Sequence, residues 1–116
     1  MGELIRDKSY NFALRIVKLS EYLNNEKREF VLSKKVLDSG VNIGLFVEEG
    51  RQGDDKGEII LKYSIENKEA FKTNFLFRLL RDSKSITESQ AESLLTDCEE
   101  LQKLLISSLK TSRGQE

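Results

Sequence analysis

The sequence predicts an all-α protein, an up-down-up-down four-helix bundle, from three observations. Apolar residues recur at three- and four-residue steps in four separate segments. The 116 residues contain no proline, which would cost about 3 kcal/mol inside a helix. The connections between segments are short, which makes consecutive helices antiparallel neighbours. A chain of this length forms one domain, 1–116, with one modest core.

The first helix is expected over about 7–24, where Phe12, Ala13, Ile16, Val17, Leu19 and Leu23 make one stripe and Lys8, Asn11, Arg15, Lys18 and Tyr22 fall opposite. Two asparagines and a charge cluster, Asn24 to Arg28, read as the connection to the second helix, about 29–49. That helix carries Leu32, Val36, Gly40, Ile43 and Val47 on one face, with Gly40 and Gly44 one turn apart in its interior. Each glycine costs up to about 1 kcal/mol relative to alanine in a helix. Close approach of a neighbouring helix at Gly40 and Gly44 would compensate, and a kink is the alternative.

Gly50 to Gly53 is expected to end the second helix through a glycine C-cap, and Asp55-x-x-Glu58 resembles a capping box opening the third, about 55–82. The second half of that helix is apolar around more than one face. Phe71, Phe75, Leu76 and Phe77 cannot all enter one intramolecular core, so Phe71, Phe75 and Phe77 are the candidate oligomer interface. The sharpest local signal is Thr87-x-x-Gln90, a capping box with Ile86 and Ala91 placed as its hydrophobic staple. It opens a fourth helix, about 87–110, on Leu94, Leu95, Cys98, Leu101, Leu105 and Leu109, leaving 111–116 as a frayed tail.

Composition narrows the chemistry. With no histidine there is no Ser-His-Asp triad, Cys-His pair or imidazole base, and a ferritin-like metal site lacks its Glu-x-x-His ligands. Glu48-Glu49 and Glu66-x-x-Glu69 therefore read as exposed helix surface, and Cys98 as a buried inert thiol. Asp54-Asp55 reads as a helix start, and Gly50-x-x-Gly53 lacks the Lys-Ser/Thr of a phosphate loop. No catalytic residue, cofactor or metal is expected. A single cysteine makes no intrachain disulfide, and no stretch has the apolar length of a signal peptide or a membrane span. A cytoplasmic, non-enzymatic protein is the expectation.

Several blocks in order carry a resemblance: Arg6-Asp7-Lys8-Ser9-Tyr10 with Phe12 to Leu19, Phe30 to Lys34, Ser39-Gly40-x-x-Ile43-Gly44, Lys68-Glu69-Ala70 with Thr73, Leu79 to Ser83, and Gln90 to Leu95. They resemble the bacterial four-helix-bundle family whose members include proteins encoded in intervening sequences of 23S rRNA genes. The resemblance implies a left-handed bundle that assembles into a homopentamer, and a binding or scaffolding module is the expectation for this chain. It extends to the strongly basic, pentameric accessory proteins of diversity-generating retroelements, and so implies RNA or DNA as a second kind of partner. Where the family carries Arg and Glu, this chain has Asp38 and Lys72. A paired reversal of charge preserves attraction between facing sites, so an Asp38–Lys72 ion pair is expected between the second and third helices.

Candidate nucleic-acid contacts are Arg6, Lys8, Arg15, Lys18, Lys27 and Arg28, which face four acidic residues within 1–28. Phosphate binding needs a concentrated positive field. Against that, 19 Lys+Arg balance 20 Asp+Glu for a net charge of −1. A solvated, charge-coated face is the competing reading of these six residues.

Overall fold

The computed structural model describes residues 2–51 and 56–114. Four helices, α1 (Gly2–Asn25), α2 (Val31–Arg51), α3 (Lys56–Asp82) and α4 (Glu88–Gly114), form a bundle with principal extents of 48 × 21 × 19 Å. Each helix packs on the next and α1 closes against α4, giving the up-down-up-down order.

α1 starts at Gly2 because its stripe begins earlier than expected. Ile5, seven residues before Phe12, is 1% exposed and belongs to the core. α4 runs to Gly114, so residues 111–114 continue the helix instead of fraying. No glycine or proline interrupts the chain between Leu105 and Gly114, and glycine is the residue at which a helix most readily stops. α2 extends through Arg51 and so ends within the Gly50–Gly53 segment, two residues past the expected 49. The rest of the segment expected to hold a glycine C-cap, 52–53, lies outside the described residues, as do Asp55 and the Glu58 side chain of the expected capping box and residues 115 and 116.

The start of α2 is capped from outside. Glu29 Oε1 accepts the Ser33 backbone N–H at 2.9 Å, satisfying one of the donors a first helical turn leaves free. The preceding bend places Arg28 at φ 54° and closes with Glu29 N–H on the Leu23 carbonyl at 2.8 Å. At the far end of α3, Ser85 N–H bonds the Leu80 carbonyl at 2.9 Å and Lys84 N–H bonds the Arg81 carbonyl at 3.0 Å. This is a Schellman motif whose left-handed residue is Lys84, φ 67°, in the place glycine usually takes.

α4 opens on the capping box. Thr87 N–H bonds Gln90 Oε1 at 2.8 Å, and Gln90 N–H bonds Thr87 Oγ1 at 3.0 Å. Ile86 and Ala91, at the staple positions, are both buried. The core joins all four helices through Ile16, Leu23, Val36, Ile43, Val47, Leu80, Leu101 and Leu105. Its aromatic centre is Phe12 edge-on to Phe77, with ring centroids 6.1 Å apart.

Candidate functional site

The helices meet through small and hydroxylated residues on the α1–α2–α3 side. A Cβ added at Gly40 would lie 2.7 Å from Cγ1 and 2.9 Å from Cγ2 of Ile16, a side chain buried in the core. At Gly44 the nearest atom would be the Ser9 carbonyl oxygen at 3.5 Å, an ordinary contact. The two glycines therefore play different parts: Gly40 is where α1 needs the missing Cβ, and Gly44 leaves room. Below this contact Ser20 Oγ and Ser33 Oγ share a buried hydrogen bond at 2.9 Å. Between α2 and α3 the Thr73 hydroxyl donates to the Glu69 carbonyl at 2.8 Å and meets Ser39 Oγ at 2.9 Å. Ser33, Ser39, Gly40 and Thr73, which carry much of the family resemblance, thus hold three helices in register.

On the outside of the α2–α3 contact lies an open groove of about 570 Å³, lined by Lys35, Asp38, Ser39, Asn42, Glu69, Phe71, Lys72, Phe75 and Leu76. Phe71 and Phe75 are 59% and 52% exposed. Arg78 spreads over the Phe75 ring, 5.6 Å from its centroid. Leu79, one turn beyond Phe75, and Leu45, three residues beyond Asn42 on α2, are exposed as well.

Phe77 does not belong to this face. It is fully buried against Phe12, because it follows Ala70 and Thr73 in the core phase of α3 while Phe71 and Phe75 sit one step further round. The expected Asp38–Lys72 ion pair is also absent. Both side chains line the groove, but no ion pair within 4 Å joins them among the described residues. Lys72 instead reaches Glu69, one turn back on its own helix, at 3.4 Å and stays 66% exposed. A neighbour at i−3 is reached with less ordering of a long side chain than a carboxylate across an open groove.

The six basic candidates are dispersed. Lys8 pairs with Glu100 and Arg15 with Asp97 at 2.5 Å, both across the α1–α4 seam, and Arg6 lies 3.8 Å from Asp7. Lys18, Lys27 and Arg28 are exposed, with no ion-pair partner among the described residues. Across the seam, residues 88–103 of α4 carry five acidic residues against one lysine. α1 and α4 together therefore present mixed charge, not a positive stripe.

Glu66 corrects the expectation of an exposed carboxylate. It is 0% exposed, and neither carboxyl oxygen has a hydrogen-bond partner among the described residues. Burial, reinforced by the negative charge of Glu49, pushes its pKa up to about 9, so the group is neutral at pH 7. The signal was present in the sequence: Tyr63, Glu66, Ala70, Thr73, Phe77 and Leu80 follow one another at the three- and four-residue steps of a core stripe. Cys98 is buried with its thiol directed to the Ala70 carbonyl at 3.4 Å, and burial pushes its pKa up to about 12, which keeps it an inert thiol at neutral pH. Among the described residues no cluster of three metal-ligating side chains forms, and no helix is long and apolar enough to cross a membrane.

The family model described as 23S rRNA-intervening sequence protein matches residues 4–107. Among solved structures the chain is similar to a protein of unknown function from the S23 ribosomal protein family of Bacteroides thetaiotaomicron. The two are 42% identical over 94% of this chain and 97% of that one, with a TM-score of 0.93. No curated protein matches. The match spans all four helices and the polar contacts that register them, and the chain belongs to the 23S rRNA-intervening sequence protein family.

Proposed function

We propose that this protein is a non-enzymatic, cytoplasmic, self-associating scaffold that binds its partners as a homo-oligomer, with the homopentamer implied by the family resemblance as the assembled form. The observation that carries the reading is the α2–α3 groove. Two phenylalanines more than half exposed on one helix face, with Leu79 one turn further along it, form the kind of apolar surface that monomers bury on association. The helices supply a rigid frame for that face, and the thiol of Cys98 is sealed in the core. Light scattering coupled to size-exclusion chromatography tests the proposal: a mass near five times 13.3 kDa is expected, and a monomer at micromolar concentration would refute it.

A second reading, an RNA- or DNA-binding accessory protein, rests on Lys18, Lys27 and Arg28, the members of the basic set left exposed and unpaired. It is the weaker one, because three unpaired cations oppose the acidic outer surface of α4 and make little electrostatic footprint. Filter binding of RNA and DNA at low salt decides it: retention lost on Lys27→Ala/Arg28→Ala supports it, and no retention at 50 mM salt rules it out.

A further inference from the structure

The α2–α3 groove is not the chain's one uncovered apolar surface. On α1, Tyr10, Leu14 and Val17 are 63%, 47% and 41% exposed at i, i+4 and i+7 spacing, a single ridge pointing away from the core. The molecule thus carries two unlike apolar features, a convex ridge on α1 and a concave groove between α2 and α3. An isologous dimer through either one would leave the other in water. A head-to-tail contact covers both in every copy of a ring, the form such repeats take when the rotation between copies closes.

Charge fixes which way the two fit. Beside the ridge, Lys18 and Glu21 are exposed, and at the groove Lys35 and Asp38 are exposed; none of the four has an ion-pair partner among the described residues. Each pair is three residues apart, about 4.5 Å along a helix, and the order of sign is the same in both, cation before anion along the chain. Laid antiparallel to α2 of a second copy, α1 brings Lys18 to Asp38 and Glu21 to Lys35 together. The same register sets Leu14 opposite Asn42, over the groove, with Phe71 and Phe75 on its far wall.

We propose that the Tyr10–Leu14–Val17 ridge of one copy seats in the α2–α3 groove of the next, in an antiparallel α1–α2 register fixed by Lys18–Asp38 and Glu21–Lys35. This rests on the self-association reading above and specifies its seam. Asp38, left without a partner by its own fold, is the groove residue that reads the incoming helix.

The test is site-directed cross-linking with a short bismaleimide. Cys98 stays in place, since its thiol is buried. Leu14→Cys and Asn42→Cys are expected to give no covalent product alone, because each copy of the seam then holds one reactive thiol, and a covalent dimer when the two are co-expressed. Covalent dimers from Asn42→Cys alone would show an isologous contact and overturn the seam while leaving self-association standing. Monomers throughout, measured before cross-linking, would overturn both. Charge reversal gives an independent readout on two exposed side chains, Lys18 and Asp38, neither of which has an ion-pair partner among the described residues. Lys18→Glu and Asp38→Lys should each weaken assembly at least tenfold, and the double variant should recover most of that loss. A double variant as weak as the sum of the singles would overturn the register.

Discussion

The α2–α3 side and the α1–α4 side of this bundle are built from the same kind of helix and end differently. Between α2 and α3 the polar atoms turn inward, as Ser39 on Thr73, and the aromatic atoms turn outward, as Phe71 and Phe75. Between α1 and α4 the arrangement is the reverse. Apolar residues fill the inside, and the outer edge is laced by Lys8–Glu100 and Arg15–Asp97. An edge sealed by exposed ion pairs gains little from a partner, since water already serves those charges. An edge with exposed phenylalanines has free energy still to release. The difference singles out the α2–α3 groove, the concave half of the proposed seam, over the α1–α4 edge.

The largest effect should come from blunting the aromatic edge. Phe71→Ser/Phe75→Ser should reduce the assembly to monomers with an unchanged helical circular dichroism spectrum. Glu92→Ser/Glu99→Ser on the outer face of α4 should leave the mass by light scattering as it was. Equal sensitivity of the two faces would break the comparison.

Next is pH. Between 4.5 and about 9 the folded chain keeps a proton on Glu66 that the unfolded chain has released. The folded state then binds more protons, and stability falls as pH rises through this window. The slope approaches about 1.4 kcal/mol per pH unit, and the full contribution is present only below 4.5. Urea midpoints at pH 5 and pH 8 should show the fall, and Glu66→Gln should flatten it. The measurement also asks whether the α2–α3 side, to which Glu66 and Glu49 belong, is the alkali-sensitive one.

Gly40→Ala should cost about 1–3 kcal/mol, because Ile16 has no room to yield. Gly44→Ala should be neutral or stabilise by up to about 1 kcal/mol. Thermal melts of the two variants sharpen how tightly α1 rides on α2. The smallest effect belongs to the laced seam. Arg15→Ala or Asp97→Ala should cost under about 1 kcal/mol, and less in high salt.

The helices and the Thr87–Gln90 cap were legible in the sequence because both are local: periodicity and a three-residue spacing carry them. The phase of α3 was legible too, and it separates Phe77 from Phe71 and Phe75 once the stripe is followed through Glu66 and Thr73 instead of skipping them as polar. Ile5 was missed for a related reason, since a stripe read from its densest part loses its first turn. The Asp38–Lys72 pair was not legible. Paired sign reversal shows only that two sites could attract, while the choice between Asp38 and Glu69 rests on side-chain reach in three dimensions. The α1 ridge was hidden by proximity, since Val17 and Ile16 adjoin in the chain and point to different sides of the helix.

Cys98 gives the molecule a built-in clock. Its sulfur lies between α4 and the backbone of α3, so a thiol reagent reaches it only when those two helices part. In an assembly held through α1, α2 and α3, α4 is the helix with no neighbouring copy to restrain it. The labelling rate at Cys98 should therefore track the opening of a single helix, and it should slow little when subunits associate.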